Sequence, residues 1–152
     1  ALLGIPAGEL RRYRALHFAT HAQLLPKRGL AAHIQLWDAE LLLPELAALP
    51  LDNALVVLST CDGASTDTLP GEEHFSLAHA LLAAGASGVL ASVWPVSNEA
   101  ALGVVSAFYT AMQQHPDPAR ALAHAQRTLM HSVGGGEAGL PFGWGGFMFM
   151  GR

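Results

Sequence analysis

The 152-residue chain has a single cysteine, Cys61, so an internal disulfide framework is excluded. One unpaired thiol suits a reducing compartment, and the expected location is cytoplasmic. Charge is scarce as well. Charged residues are 13% of the chain against 51% apolar, and the formal net charge is only −4. The few Lys and Arg are scattered and leave no basic footprint, so a nucleic-acid partner is not expected. Such a composition is too apolar for a disordered chain. Long hydrophobic runs are missing too. The apolar stretches are short and broken by Gly, Pro or polar residues, which argues against a membrane span and a membrane partner. Arg11, Arg12 and Arg14 are not followed by the long apolar region of a secretory leader. No internal repeat is visible. The one low-complexity patch, Gly134 to Gly136 with Gly139, reads as a mobile loop.

What is present is one compact domain's worth of alternating strands and helices. Tyr13 to Thr20 reads as a strand that leads to His21. Ala54 to Ser59 (ALVVLS) and Gly88 to Val93 (GVLASV) are continuously apolar and rich in Val and Leu, as central strands covered on both faces are. Trp94-Pro95 stops the latter, because the residue before a proline leaves helical space. Trp144 to Met150 is expected to close the sheet. Helices are expected at Glu40 to Ala48, at Phe75 to Ala84 with Gly85 as its stop, at Asn98 to Gln113 behind an N-cap Ser97, and at Pro118 to Met130 behind Asp117. Leu102, Val105 and Phe108 are assigned to the core. This alternation argues for a mostly parallel α/β sheet with right-handed crossovers. Three or four strands are countable, with no strand–helix unit before Tyr13, so the chain is expected to begin inside a larger domain.

Parallel sheets gather function at the carboxyl ends of their strands. His21 follows the first strand and Cys61 the second. An imidazole titrates near neutrality and can move the proton of a thiol that is only partly ionised there. Placed side by side, the two form a nucleophile and its proton carrier. Gly63 permits a sharp turn after the thiol. From the residues alone, a nucleophile and a buried structural cysteine are both open readings of Cys61. His17 and His21 share the i, i+4 spacing of helical metal ligands, but the segment reads as a strand and no third ligand is evident, so no metal is expected. Histidines 33, 74, 79, 115, 124 and 131 lack organised spacing and are read as ordinary surface or helix residues. Trp94, Trp144 and Phe147 are read as packing or loop-anchoring residues.

Four segments in sequence order resemble the CHAT family, the peptidases related to caspases and separases. They are Leu16 to His21 (LHFATH), Leu55 to Ala64 (LVVLSTCDGA), Gly71 to Ala100 with its Trp94-Pro95-Val96 turn, and Phe142 to Arg152 (FGWGGFMFMGR). The resemblance implies a caspase-like three-layer α/β/α fold over residues 1–152, with the N-terminal part of the domain absent and the chain forming the C-terminal catalytic portion of a larger protein. It implies a cysteine endopeptidase in which Cys61 attacks a peptide carbonyl and His21 handles the proton, with the amides of Ala22 and Cys61 as the oxyanion hole. No cofactor is implied. The partners implied are a protein or peptide substrate and a tetratricopeptide-repeat region of the same protein. Three positions depart from the family pattern. Ala22 replaces a usual Gly, Asp62-Gly63 replaces Glu-Thr, and Asn98 replaces an Asp that helps related arginine-specific enzymes bind a basic side chain. Asp62, Trp94, Asn98 and Glu99 are therefore the candidate substrate-binding residues. The departures at Ala22 and Asn98 motivate an alternative, a catalytically inactive module of the same fold that binds partners in a regulatory assembly.

Overall fold

The computed structural model describes residues 4–20, 22–25, 31–59, 72–132 and 136–151. A single turn of helix, α1 (Ala7–Leu10), precedes strand β1 (Ala15–Phe18). Three short strands follow, β2 (Ala22–Leu25), β3 (Ala31–Gln35) and β4 (Glu40–Leu42), which pair with one another as an antiparallel sheet. Helix α2 (Leu43–Ala47) leads to β5 (Leu55–Leu58), α3 (Glu72–Ala83) and β6 (Gly88–Ser92). Helices α4 (Asn98–Met112) and α5 (Pro118–Met130) come next. A 3-10 turn (Gly136–Gly139), α6 (Pro141–Trp144) and β7 (Phe147–Gly151) complete the order.

The main sheet runs β1-β5-β6-β7, parallel except for β7. Every residue of β5 and β6 is buried. Alternate side chains of these strands enter two separate cores. Val56, Leu58, Val89 and Ala91 pack with Leu77 and Leu81 of α3. Leu55, Val57 and Leu90 pack on the other face with Val104 and Phe108 of α4 and Leu122 of α5. Two covered faces are why these strands are apolar without alternation. The three layers expected from the sequence are present: helix α3, the sheet, and the pair α4 and α5.

The helix ends follow local chemistry. Ser97 Oγ accepts from the amide of Ala100 at 3.1 Å, and Asp117 Oδ1 from that of Ala119 at 2.9 Å. Both are the expected N-caps. Helix α3 closes in a Schellman pattern, in which the Ala86 amide donates to the Leu81 carbonyl and the Gly85 amide to that of Leu82, each at 3.1 Å. Gly85 has φ +99°, which only glycine adopts without strain.

Several expectations need correction. Glu40 to Leu42 is a strand, because it pairs with His33, Ile34 and Gln35 of β3; only Leu43–Ala47 is helical. Trp144 ends α6, and the closing strand starts at Phe147. Strand β1 is shorter than Tyr13 to Thr20. Gly136 and Gly139 lie in the 3-10 turn rather than in a mobile loop, held where the Glu99 carboxylate accepts from the Glu137 amide. Gly134 lies outside the described residues. His33 is 3% exposed within β3, not a surface residue. Leu102 is 69% exposed, although Val105 and Phe108 of the same helix are buried as expected.

Replacing Gly85 with Ala is expected to lower stability by about 1–2 kcal/mol, the cost of left-handed backbone for an L-residue. A Cβ there would meet nothing closer than 3.6 Å, so the loss is conformational. A urea unfolding midpoint unchanged by the substitution would contradict this account.

Candidate functional site at the strand ends

Strands β1 and β5 pair in parallel with a fixed offset, Ala15 against Leu55 through Phe18 against Leu58. The Ser59 amide extends the ladder by donating to the Phe18 carbonyl at 3.0 Å. Odd-numbered side chains of both strands face α4. His17 Nε2 lies 2.8 Å from Ser59 Oγ, and its ring tilts against Tyr109 of α4 with centroids 5.8 Å apart. Burial lowers the His17 pKa below its ordinary 6.5. The ring is therefore neutral at neutral pH, and its hydrogen bond with the Ser59 hydroxyl involves no charge.

A cavity of about 380 Å³ opens at this edge. Among the described residues, the strand ends contribute His17, Ala19, Thr20 and Ser59 to its wall. Helix α4 contributes Asn98, Ala101, Leu102 and Val105. Leu102 is exposed because it faces this opening rather than the core. None of these described wall residues carries a charge.

The expected site residues fall in different places. His21, Cys61 and Asp62 lie outside the described residues. Ala22 opens β2, where it pairs with Ile34. Asn98 lines the cavity. Its neighbour Glu99 points to the 3-10 turn, with the carboxylate Oε1 3.4 Å from the Glu137 amide. Trp94 serves as an anchor, as its type suggested. Its Nε1 donates to the Phe142 carbonyl at 2.9 Å and its ring lies 5.7 Å from that of Phe142. Among the described residues no group of three or more His, Cys, Asp or Glu could hold a metal ion.

Sequence reasoning singled out neither Ser59 nor Thr20. The Ser59 signal was available, since it follows the apolar run Leu55–Leu58 directly and shares the parity of Leu55 and Val57. Thr20 donates through its hydroxyl to the Gln35 carbonyl and ties the end of β1 to β3. That contact has no signature in the chain order. A second cavity, of about 730 Å³, lies between the end of β1 and the turn that joins β3 to β4.

A family model described as "CHAT domain" matches residues 5–152. Tetratricopeptide repeat protein 28 of Homo sapiens is 33% identical over 103 residues, which cover 68% of this chain and 4% of that protein. The chain therefore spans a small fraction of the curated relative it matches. No helix among the described residues is long and apolar enough to cross a membrane.

The lowered His17 pKa has a definite consequence for stability. The folded state binds fewer protons than the unfolded chain below 6.5, so this contribution is present above that value and is lost as pH falls through the folded pKa. Urea midpoints compared on either side of 6.5 are expected to fall less in His17→Asn than in the parent chain. An NMR titration placing the His17 midpoint at or above 6.5 would reverse the sign and refute the desolvation argument.

Proposed function

The chain belongs to the CHAT domain family, and from that premise we propose that it is a cysteine endopeptidase acting through Cys61 and His21. The observation that carries the reading is the β1–β5 register. Each described pair differs by 40 residues, and His21 and Cys61 differ by the same 40. Both come three residues after the last residue of their strands in sequence, and the 380 Å³ cavity opens where those strands end. Parallel neighbours leave the sheet on one side, which supports a shared pocket for thiol and imidazole.

In this mechanism His21 accepts the Cys61 proton as the sulfur adds to the peptide carbonyl carbon. Backbone amides of Ala22 and Cys61 hold the oxyanion. The carbonyl re-forms, the C–N bond breaks, and His21 returns the proton to the leaving amine. Water activated by His21 then hydrolyses the thioester and restores the thiol. Ser59 stands two residues before Cys61 and His17 four before His21, and their hydrogen bond links the ends of the two strands. No metal or organic cofactor enters these steps.

Substrate contacts are assigned to Asp62, Trp94 and Asn98, with Asn98 supported by its place in the cavity wall and Trp94 acting through the loop it anchors, whereas Glu99 is engaged by the Glu137 amide. The substrate is a protein or peptide. The similarity to tetratricopeptide repeat protein 28 supports a repeat region as the companion of this domain. A cytoplasmic setting agrees with the lone cysteine.

Cys61→Ala is expected to abolish labelling by an electrophilic peptide probe. His21→Ala is expected to slow it by about 10²-fold or more, the usual loss of a positioned base. Equal labelling of the parent chain and Cys61→Ala would defeat the peptidase reading and leave a partner-binding module of the same fold. Asn98→Asp adds a carboxylate to an uncharged described wall. It is expected to raise the labelling rate of probes with arginine next to the electrophile, relative to leucine probes. An unchanged ratio would remove Asn98 from the substrate contacts.

A further inference from the structure

Trp37 is the one large apolar residue fully exposed among the described residues. Other exposed large side chains, such as Tyr13 and Phe142, keep part of their surface covered. A tryptophan left in water forgoes the burial of about 150–250 Å² that an aromatic side chain normally gains. Trp37 is nevertheless not on a loose tip. The Leu36 amide donates to the Ala39 carbonyl at 2.7 Å across its turn. The Gln35 side chain donates from Nε2 to the Leu36 carbonyl at 2.9 Å and to the Ala39 carbonyl at 3.3 Å. Thr20 in turn bonds the Gln35 carbonyl, so the turn is tied to the end of β1.

Trp37 lines the 730 Å³ cavity with Gln35 and Leu36, and the end of β1 contributes His17, Ala19 and Thr20 to it. Those last three residues also line the cavity against α4. The two cavities thus adjoin at the end of β1, from which the chain runs on in sequence to His21. An extended peptide lying along them sets different side chains into the two cavities. The described residues around Trp37 in this cavity carry no charge, so the matching side chain is aromatic or large aliphatic.

We propose that Trp37 and the cavity beside it form a subsite for an aromatic or large aliphatic side chain of an extended polypeptide substrate, next to but distinct from the cavity against α4. The proposal rests on the peptidase reading. Continuity through His17, Ala19 and Thr20 selects the substrate as occupant rather than a separate partner. Pinning of the turn before binding reduces the ordering that association must overcome. Trp37 is a specificity residue and takes no part in the bond-breaking steps.

The test uses peptidyl acyloxymethyl ketones in which Phe, Leu, Gly or Asp is varied at successive positions before the electrophile. Rates on the full chain are divided by the alkylation rate with iodoacetamide, which corrects for any change in the thiol itself. The parent chain is expected to prefer Phe or Leu at one position. Trp37→Ala is expected to lose roughly three- to tenfold of that preference, the range of an aromatic contact, and Trp37→Phe to keep most of it. Cys61-dependent labelling with no such preference, or with one that Trp37→Ala leaves intact, overturns the subsite while the peptidase reading stands. Labelling that does not depend on Cys61 at all overturns both.

Discussion

The pairing of β1 with β5 is the constraint on which the rest of the site depends. A parallel ladder sends both chains out on the same edge of the sheet, which an antiparallel pair does not do. Its register is held by burial rather than by the ladder alone. Val56 and Leu58 are buried against α3, and Val57 is buried against α4. Slipping β5 by one residue would exchange these sets and put every side chain on the wrong core. Two covered faces therefore fix which residues of one strand stand beside which residues of the other.

Magnitudes separate what holds the site from what decorates it. A neutral hydrogen bond such as His17 to Ser59 contributes about 1 kcal/mol net. Burying one large apolar side chain contributes about 1.5–3 kcal/mol, and Val57, Leu90, Val104 and Phe108 are all fully buried on the α4 face. The sheet and α4 accordingly position His17 and Ser59, and not the reverse. The same holds for the far end of the chain. Gln126 of α5 donates to the carbonyls of Trp144 at 3.0 Å and Phe147 at 2.9 Å, which fixes the approach to β7. Trp94 pins the α6 turn from the sheet side.

The central strands and the long helices were legible because each carries a local cause. The unbroken apolar runs of β5 and β6 report burial on both faces, and Ser97, Asp117 and Gly85 are caps or stops whose chemistry is readable one residue at a time. The sheet of β2, β3 and β4 was not legible. Its strands are short, and Glu40–Leu42 takes its conformation from pairing with β3, a partner that local patterning cannot reveal. His33 looked like a surface histidine because nothing beside it in the chain shows the cover it receives once that sheet forms. Leu102 was misassigned for a related reason. Helical spacing gives the apolar stripe its direction but not where the opposing strands end, and Leu102 lies beyond that edge. Around the strand ends, Asn98 and Trp94 were singled out by motif, whereas Thr20 and Ser59 take their hydrogen bonds from distant segments.

The charge distribution around the strand ends limits how selection can work there. The carboxylate nearest in sequence to Asn98 is Glu99, and it accepts from the Glu137 amide. Turning it toward a basic substrate would leave that amide and the start of the 3-10 turn without their acceptor. The described walls of both cavities offer apolar groups, hydroxyls, amides, an indole and a neutral imidazole. Apolar contacts discriminate weakly, by about 1–3 kcal/mol per methylene, whereas groups that hydrogen-bond a ligand reject an analogue lacking the matching group strongly. The two cavities adjoin at the end of β1, where both are lined by His17, Ala19 and Thr20.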